Sequence, residues 1–355
     1  MSDYAERCLN MTSQVPLVSV VMCNYNTKEE QLRSAIQSIL SQTFGNFEFI
    51  IIDDASTEND VEIINSYADP RIKLLRNDIN HHVSYTANRG LELAQGKYIA
   101  RMDSDDICLP TRLEEQVGYM QKHPDVDVLY AQAKLIGNRE GIFAPGFKQS
   151  DLVKVNLFFG CPIVNPTVML RASFVEKHHL RYDTGTDFKA AEDYELWSRC
   201  ISSATIHEYP KVLIHYRVHP TQISTLTRDK QIESANRVRR RMLDWMKIVP
   251  DQHEMAVHYA FCTDSVLPQV TLAETENWAQ RLLDGNGSHK VFNQRFFKNE
   301  VVQHFFVLAV KSIAQKRISP GQALKLPIMR QALSPVNYYR YFRRFLFSKR
   351  LNRVI

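Results

Sequence analysis

Residues 17–26 read LVSVVMCNYN, a short apolar run rich in β-branched side chains that ends in polar ones. A run of this length and composition predicts a buried β-strand. Residues 28–41 follow with apolar side chains at the spacing of an amphipathic helix. A strand followed directly by such a helix is the opening unit of an α/β fold.

The same alternation continues through the first 130 residues. Strand-like runs recur at 47–52, 72–75, 97–102 and 126–130. Helical patterns lie between them at 58–68 and 84–94, and Pro110 is expected to start a further helix, because proline is favoured in a first turn. This order predicts an α/β fold with a Rossmann-like, mostly parallel sheet that is flanked by helices on both faces.

The later part of the chain has a different pattern. Residues 140–225 mix short strands and loops with one helix around 192–200, and from about 228 onward the pattern is helical. We therefore expect an N-terminal lead segment at 1–15, an α/β domain at 16–227 and a helical C-terminal region at 228–355.

Composition excludes several protein classes. The chain has 355 residues, of which 44% are hydrophobic and 23% charged, so it is neither disordered nor collagen-like. Its longest apolar runs are too short to cross a bilayer, and the N-terminal MSDYAERCLN lacks the pattern of a signal peptide. Six scattered cysteines form no CxxC pair, which predicts free thiols in a reducing compartment. We expect a cytoplasmic protein.

The net charge of +5 is unevenly distributed. Residues 301–355 contain eleven Lys or Arg and no Asp or Glu, while the other 300 residues carry 33 basic and 39 acidic side chains, a net charge of −6. The basic pI therefore does not indicate binding of nucleic acid by the body of the protein. The last segment, 337–355, holds six basic and six aromatic residues, which is typical of a helix lying on an anionic membrane surface. Docking of this segment on the acidic body is the alternative.

Polar side chains follow three of the predicted strands. They are Cys23–Asn26, Asp53–Asp54 and Asp103–Asp106. In open parallel sheets ligands bind beyond the carboxyl ends of the strands, so these stretches are the candidate site. Dinucleotide binding through GxGxxG is excluded because CNYNTKEE has no glycine after the first strand, and 90–98 does not match a P-loop.

Asp103-Ser104-Asp105 gives the strongest local signal. Two carboxylates one residue apart can coordinate a hard cation such as Mg²⁺ or Mn²⁺, which also binds substrate phosphates. Such a cation would neutralise a departing diphosphate. The alternative is a turn that caps the following helix.

Two further acidic pairs are candidates for the same chemistry. Asp53 or Asp54 could accept hydrogen bonds from a nucleotide base or ribose, and the alternative is an N-cap for a helix starting at Glu58. Glu192 and Asp193 open a helix, where acids commonly complement the helix dipole. A carboxylate there could also act as a general base. His219 is a candidate metal or diphosphate contact, whereas His215 is more typical of a packed residue.

Taken together, these stretches resemble glycosyltransferase family 2, whose members have the GT-A fold. The resemblance covers 16–224. The stretches that carry it, by residue number, are 18–26, 38–43, 47–56, 87–90, 94–106, 191–197 and 216–219. The chain departs from the family pattern at Cys23, His82 and Asn165, where proline, glycine and histidine are common.

The resemblance implies a role for each matching position. Asp53 or Asp54 would hold the base and ribose of a nucleotide-sugar donor. Asp103 would lie near the ribose and diphosphate, Asp105 would ligate the metal, and Asp193, with Glu192 beside it, would deprotonate the acceptor. The remaining positions expected at the donor or metal are Asn24, Tyr25, Asn26, Asn88, Arg101, Ser104, Arg217 and His219.

The implied reaction is the inverting, metal-dependent transfer of a hexosyl or N-acetylhexosaminyl group. It would take a sugar from a nucleotide-sugar, expected to be a UDP-sugar, to a hydroxyl of a glycan or lipid-linked acceptor. The cofactor would be Mn²⁺ or Mg²⁺. The enzyme would act at the inner face of the cell membrane, as in bacterial surface-polysaccharide or lipopolysaccharide synthesis. The alternatives are a Mg²⁺-dependent nucleotidyltransferase and an inactive sugar-nucleotide-binding module.

Overall fold

A computed structural model describes residues 15–147, 149–219 and 228–333. These residues form two compact units. The first unit holds the residues up to Ala144, together with Ile163–Tyr182 and Tyr209–Val218. The second holds Pro145–Pro162, Asp183–Glu208 and the described residues from His219 on. The predicted domain bounds of 16–227 and 228–355 stay a prediction. The lead segment up to residue 14 and the basic segment 337–355 lie outside the described residues.

The first unit is built on one mixed sheet. The strands are β1 Val18–Asn24, β2 Phe47–Asp53, β3 Ile72–Arg76, β4 Tyr98–Asp103, β5 Ile107–Cys108, β6 Val128–Gly137, β7 Gly141–Phe143, β8 Met169–Arg171 and β9 Ile206–Val218. Their order in the described sheet is β3-β2-β1-β4-β8-β6-β9-β5, and β7 pairs with β6. The pairs β1–β2, β1–β4 and β2–β3 are parallel, and β8 joins β4 in antiparallel orientation.

Helices cover both faces of the parallel strands. They are α1 Glu29–Leu40, α2 Asp60–Asn65, α3 His82–Leu93 and α4 Arg112–Lys122. On one face, Val18, Val20 and Met22 of β1 share a core with α1 and α4. On the other face, α3 packs on β1 and β2. Because β1 and β2 are buried on both faces, their sequences read as continuous apolar runs. The expected α/β class is confirmed.

One predicted helix start is wrong. Pro110 does not open the helix, because α4 begins at Arg112 after the N-cap residue Thr111. The carbonyl of Leu109 accepts a hydrogen bond from the Arg112 N–H at 3.1 Å, so Pro110 lies inside the turn that leads into the helix. The carbonyl of Pro110 accepts from Thr43 N at 2.9 Å.

The second unit is mainly helical, in agreement with the pattern predicted from residue 228. Its helices are α5 Ser150–Phe159, α7 Glu192–Arg199, α8 Arg228–Trp245, α9 Gln252–Cys262, α10 Leu272–His289, α11 Gln294–Ala314, α12 Pro320–Ala323 and α13 Pro327–Ala332, while α6 Ala172–Lys177 belongs to the first unit. The 21-residue α11 is buried along most of its length and packs against α5, α10 and α13. No helix of the described residues is long and apolar enough to cross a bilayer.

Candidate active site

The polar ends of β1, β2 and β4 meet at one edge of the sheet. Strand register places Asn24 beside Asp53, and Cys23 beside Asp103. Because the three strands are parallel, their carboxyl ends lie at the same edge, as the sequence predicts. The polar side chains at these strand ends therefore lie at one edge of the sheet in the first unit.

A buried network fixes the loop that follows β1. The Asn24 amide nitrogen donates to Asp53 at 3.0 Å and to Asp60 at 2.8 Å. Asp60, which is fully buried at the start of α2, also accepts from the Thr27 N–H at 3.0 Å. Sequence analysis missed Asp60, because it lies seven residues after Asp53 with no local spacing to link them. From its position in a first helical turn, Asp60 would have been interpreted only as an acidic residue that interacts favourably with the helix dipole.

Asp53 and Asp54 are both buried and hydrogen-bonded within the protein. Asp53 also accepts from the Ser56 N–H at 3.1 Å and pairs with Arg76 at 3.3 Å. Asp54 accepts from the Asn77 amide at 2.6 Å and from the His81 N–H at 3.0 Å. The alternative that one of them caps a helix at Glu58 is wrong, because α2 begins at Asp60 after Asn59. Their polar bonds instead shape the loops around them.

The DxD stretch lies at the end of β4 and remains partly open. Asp103 is 34% exposed and pairs with the fully buried Arg101 guanidinium at 3.2 Å. The Ser104 hydroxyl is 2.6 Å from that of Thr27, which links this turn to the loop after β1. The predicted positions 103–105 therefore adjoin the Asn24 network through a direct hydrogen bond.

Arg217 of β9 holds the turn from the other side. Its backbone N–H donates to Asp106 at 2.7 Å, and its Nε donates to the Asp105 carbonyl at 2.8 Å. Asp106 is fully buried, and burial together with the neighbouring Asp105 and Asp103 raises its pKa well above the usual range. Arg217 therefore supports the turn, and its role toward a diphosphate stays a prediction.

Arg112 is a second supporting residue that the sequence did not reveal. Its side chain is fully buried, and Nη2 donates to the carbonyls of Arg101 at 2.8 Å and Val168 at 3.3 Å. The Arg112 Nε donates to Gln116 at 3.0 Å. This arginine fixes the backbone directly before Asp103. An arginine in a first helical turn carries no sequence signal of such burial.

The residues present fit a hard divalent cation. Asp103 and Asp105 offer carboxylate oxygens, and the second oxygen of the neighbouring Asp106 is buried without a hydrogen-bond partner. Within the described residues, no group of three or more His, Cys, Asp or Glu side chains is arranged to hold a metal alone. A cation at this turn would complete its shell with substrate phosphate oxygens and water. His219 as a further ligand stays a prediction.

Three other residues are predicted donor contacts, namely Tyr25, Asn26 and Asn88. Tyr25 is about half exposed at 47%, and the Asn26 side chain accepts from the Thr57 N–H at 2.8 Å. Asn88 differs, because its side-chain amide is bonded to the backbone of Tyr182. Its Oδ1 accepts from the Tyr182 N–H at 2.8 Å, and its Nδ2 donates to the Tyr182 carbonyl at 2.9 Å. The structure thus gives Asn88 a positioning role that needs no ligand. The exposed His82, at a residue where the family often has glycine, adopts a left-handed φ of 66°.

The candidate base lies in the second unit. Glu192 and Asp193 form the first turn of α7, and the Asp193 carboxylate accepts from the Tyr194 N–H at 2.6 Å. Tyr194 is buried, and its hydroxyl donates to the Leu157 carbonyl at 2.7 Å. Burial raises the Tyr194 pKa, so this hydroxyl stays protonated. The predicted catalytic pair therefore starts a helix that is anchored by its next residue.

Comparison with known proteins gives a consistent family assignment. The family model described as glycosyl transferase family 2 matches residues 19–161. An uncharacterised glycosyltransferase of Haemophilus influenzae is 35% identical over 63% of this chain and 72% of its own length. The Escherichia coli enzyme WfaP is 28% identical over 62% of this chain and 84% of its own length. Its name describes a β-1,3-glucosyltransferase acting from UDP-Glc to α-D-GlcNAc-diphosphoundecaprenol.

Solved structures agree on the fold. Staphylococcus aureus TarS, crystallised with UDP-GlcNAc, matches with a TM-score of 0.55 and 17% identity over 84% of this chain and 92% of that one. The Pyrobaculum calidifontis mannosyltransferase PcManGT, solved in complex with GDP-Man and Mn²⁺, matches with a TM-score of 0.52 and 13% identity over 86% of this chain and 89% of that one. The fold is GT-A, and the chain belongs to glycosyltransferase family 2.

Proposed function

We propose that this glycosyltransferase is an inverting, metal-dependent enzyme that moves a sugar from a UDP-sugar to a hydroxyl of a glycan or lipid-linked glycan. The proposal rests mainly on one observation, which is that two groups of polar residues adjoin at the carboxyl edge of the sheet. There the Asn24 network and the partly open DxD turn are linked by the hydrogen bond between Thr27 and Ser104. A nucleoside would then lie beside the loop that the Asn24 network fixes, and the diphosphate and its cation would lie at the adjoining DxD turn.

The donor would lie across this edge. Asp53 or Asp54, with the loop Cys23–Asn26, would face the base and ribose, and Asp103 and Arg101 would lie toward the ribose and diphosphate. A UDP-sugar is supported by WfaP, whose named donor is UDP-Glc, and by TarS, which binds UDP-GlcNAc. Hexosyl and N-acetylhexosaminyl donors are both compatible with these two proteins.

Asp105 and Asp103, with His219, would hold Mn²⁺ or Mg²⁺. The cation would supply charge neutralisation for the departing diphosphate. The Mn²⁺ bound in PcManGT supports this choice. Arg217, which fixes the backbone of the same turn, would approach the diphosphate from β9. The basic and acidic groups of this turn therefore share one task, which is to stabilise the leaving group.

Asp193 would act as the general base, with Glu192 beside it. The acceptor oxygen attacks the anomeric carbon while the bond from that carbon to the diphosphate oxygen breaks. The hydroxyl proton passes to the Asp193 carboxylate, and the nucleoside diphosphate leaves. A single displacement of this kind inverts the anomeric configuration, so an α-linked donor gives a β-linked product.

A lipid-linked acceptor is supported by WfaP, which is named for one. The basic segment 337–355 would hold the protein on an anionic membrane, at the inner face of the cell membrane. The pathway type would be surface-polysaccharide or lipopolysaccharide synthesis. No nucleic acid partner is proposed, since the positive charge is concentrated in the C-terminal 55 residues.

A donor and acceptor screen tests the proposal. Purified protein with Mn²⁺ is given UDP-glucose, UDP-N-acetylglucosamine or GDP-mannose, with and without a synthetic lipid bearing α-GlcNAc-diphosphate. We expect acceptor-dependent release of UDP and, by NMR, a β-linked product. An α-linked product would contradict inversion.

The same screen separates the alternatives. Pyrophosphate release from a nucleoside triphosphate and sugar phosphate would indicate a nucleotidyltransferase. Donor binding by calorimetry with no turnover of any donor would indicate an inactive binding module. Family membership favours glycosyl transfer over both.

A further inference from the structure

Two arginines of α8 contact the chain on either side of the candidate base. Arg237 and Arg241 are one helical turn apart. Arg237 pairs with Asp187, which precedes α7, and Arg241 pairs with Glu195 inside α7 at 2.7 Å. Glu192 and Asp193 lie between these two anchor points along the chain. The first turn of α7 is thus held from outside the helix.

Arg241 makes the more extensive contacts of the two. Its Nη2 donates to the Ser198 hydroxyl at 2.6 Å and to the Glu195 carbonyl at 3.3 Å. Its guanidinium carbon lies 5.3 Å from the ring centre of Phe188. The Phe188 carbonyl in turn accepts from the Ala191 N–H at 2.8 Å, directly before the acidic pair. One guanidinium therefore contacts residues on both sides of Asp193.

Glu195 makes this arrangement stiff. Its side chain is 1% exposed and receives two hydrogen bonds from Arg199, at 2.8 and 3.0 Å, besides that from Arg241. A buried carboxylate that accepts hydrogen bonds from two guanidinium groups has few alternative positions, because moving away would break charge-assisted hydrogen bonds and weaken the pairing of a buried charge. Glu195 is two residues from Asp193 in a helix of eight residues. Displacing Glu195 would move the first turn with it.

We propose that Arg241 is a positioning residue for the transfer reaction, and that it fixes the orientation of Asp193 through Glu195, Ser198 and Phe188. This proposal rests on the proposed role of Asp193 as the base. Arg241 touches neither donor nor acceptor in this mechanism. Its loss affects the geometry of proton removal and leaves donor binding intact.

A double-mutant cycle tests this role. Arg241→Ala, Asp193→Asn and the double variant are compared in the full-length protein, with whichever of the three donors turns over in the screen above. Arg240→Ala is the matched control, because Arg240 is the exposed neighbour on the same helix. We expect Arg241→Ala to lower kcat about tenfold to a hundredfold, the cost of misplacing a catalytic group by about 1 Å. Donor affinity by calorimetry stays within about twofold of wild type.

The double variant provides the readout that a merely structural role would not give. Residues that act as a unit have strongly non-additive effects, so the double variant should be no slower than Asp193→Asn alone. Additive losses, or a fall in donor affinity that parallels the fall in kcat, would overturn the proposal. If Arg241→Ala does not fold, Arg241→Lys or Ser198→Ala takes its place in the double-mutant cycle.

The outcomes also distinguish this proposal from the proposed function. Wild-type kcat in Asp193→Asn would overturn the base assignment and the positioning role with it. A loss in Asp193→Asn combined with wild-type kcat in Arg241→Ala would overturn the positioning role alone.

Discussion

At the scale of single residues, the carboxylates of the candidate site differ in what surrounds them. Asp53, Asp54 and Asp60 are buried and receive hydrogen bonds from the backbone and from asparagine amides. Bonds of this kind fix the loops that carry these three carboxylates. Asp103 is instead about one-third exposed and pairs with the Arg101 guanidinium. In the proposed mechanism, the buried carboxylates would shape the nucleoside side of the site and the partly exposed Asp103 would supply charge on the diphosphate side.

The proposed metal dependence gives the first prediction. Asp105→Ala should lower turnover at least about a hundredfold, because the diphosphate would leave without charge compensation worth several kcal/mol. EDTA should abolish the wild-type rate, and added Mn²⁺ or Mg²⁺ should restore it. The measurement is acceptor-dependent release of nucleoside diphosphate. Asp125→Ala, at an exposed loop position, is the control. A wild-type rate in EDTA would refute metal dependence.

The base gives the second prediction. Asp193→Asn keeps the size of the side chain and removes its ability to accept a proton. We expect kcat to fall at least about a hundredfold, within the usual contribution of general-base catalysis. Donor affinity, measured by calorimetry, should persist. Asp284→Asn, at an exposed position of α10, is the control and should behave as wild type. The assignment fails if donor affinity collapses while single-turnover chemistry is unchanged.

At the scale of elements, close packing of α3 on β1 limits which residues the helix can carry. A Cβ added at Gly90 would lie 2.2 Å from the buried Val21 Cγ1, whereas one added at Gly118 of α4 would meet nothing within 4 Å. Both glycines are in helix interiors, where alanine has the higher helix propensity. An alanine at each position therefore separates the cost of crowding the core, expected at Gly90, from the gain in helix propensity, expected at Gly118.

This contrast gives the third prediction. Gly90→Ala should destabilise the protein by about 1–3 kcal/mol, the usual cost of overpacking a core. Gly118→Ala should stabilise it by up to about 1 kcal/mol through helix propensity. Thermal unfolding followed by circular dichroism measures both. Stabilisation of both variants would show that α3 can move away from β1 at little cost.

The elements that could be predicted are those with a periodic signal. Strand β2 was expected at 47–52 and spans Phe47–Asp53, and the helix expected at 84–94 spans His82–Leu93. The antiparallel part of the sheet was not predicted, because β5, β7 and β8 have only two or three residues and no repeating pattern. Strands β5 and β8 pair with strands distant in sequence, whereas β7 pairs with the adjacent β6.

The same reason limits prediction of the candidate site. Residues at the carboxyl end of a strand, such as Asp53 and Asp103, could be identified because ligands bind at the carboxyl ends of the strands in open parallel sheets. Asp60, Arg112 and Arg241 could not, because each acts through hydrogen bonds to residues that only the fold brings near. Supporting residues of this kind have no spacing rule.

For the molecule as a whole, acidic and basic residues are unevenly distributed along the chain, and the GT-A fold does not require this distribution. A net charge of −6 on 300 residues would repel an anionic bilayer, and the eleven basic residues of the C-terminal 55 would be attracted to it. A protein with this distribution would orient at a membrane with its C-terminal end toward the lipid. That orientation would suit an acceptor carried on a lipid.

The last prediction concerns the segment 337–355. Its aromatic residues Tyr338, Tyr341, Phe342 and Phe345 have helical spacing, and its six basic residues could each contribute about 1 kcal/mol at an anionic surface. The intact protein should therefore float with liposomes that contain anionic lipid at low salt, and release at high salt, because screening weakens such attraction. A chain ending at Ser334 should not float. A full-length variant with Arg340, Arg343 and Arg344 changed to glutamine should float more weakly, which separates charge from the loss of the segment. Equal flotation of the intact and shortened chains, or none by the intact chain, would reject membrane anchoring and favour docking of the segment on the acidic body.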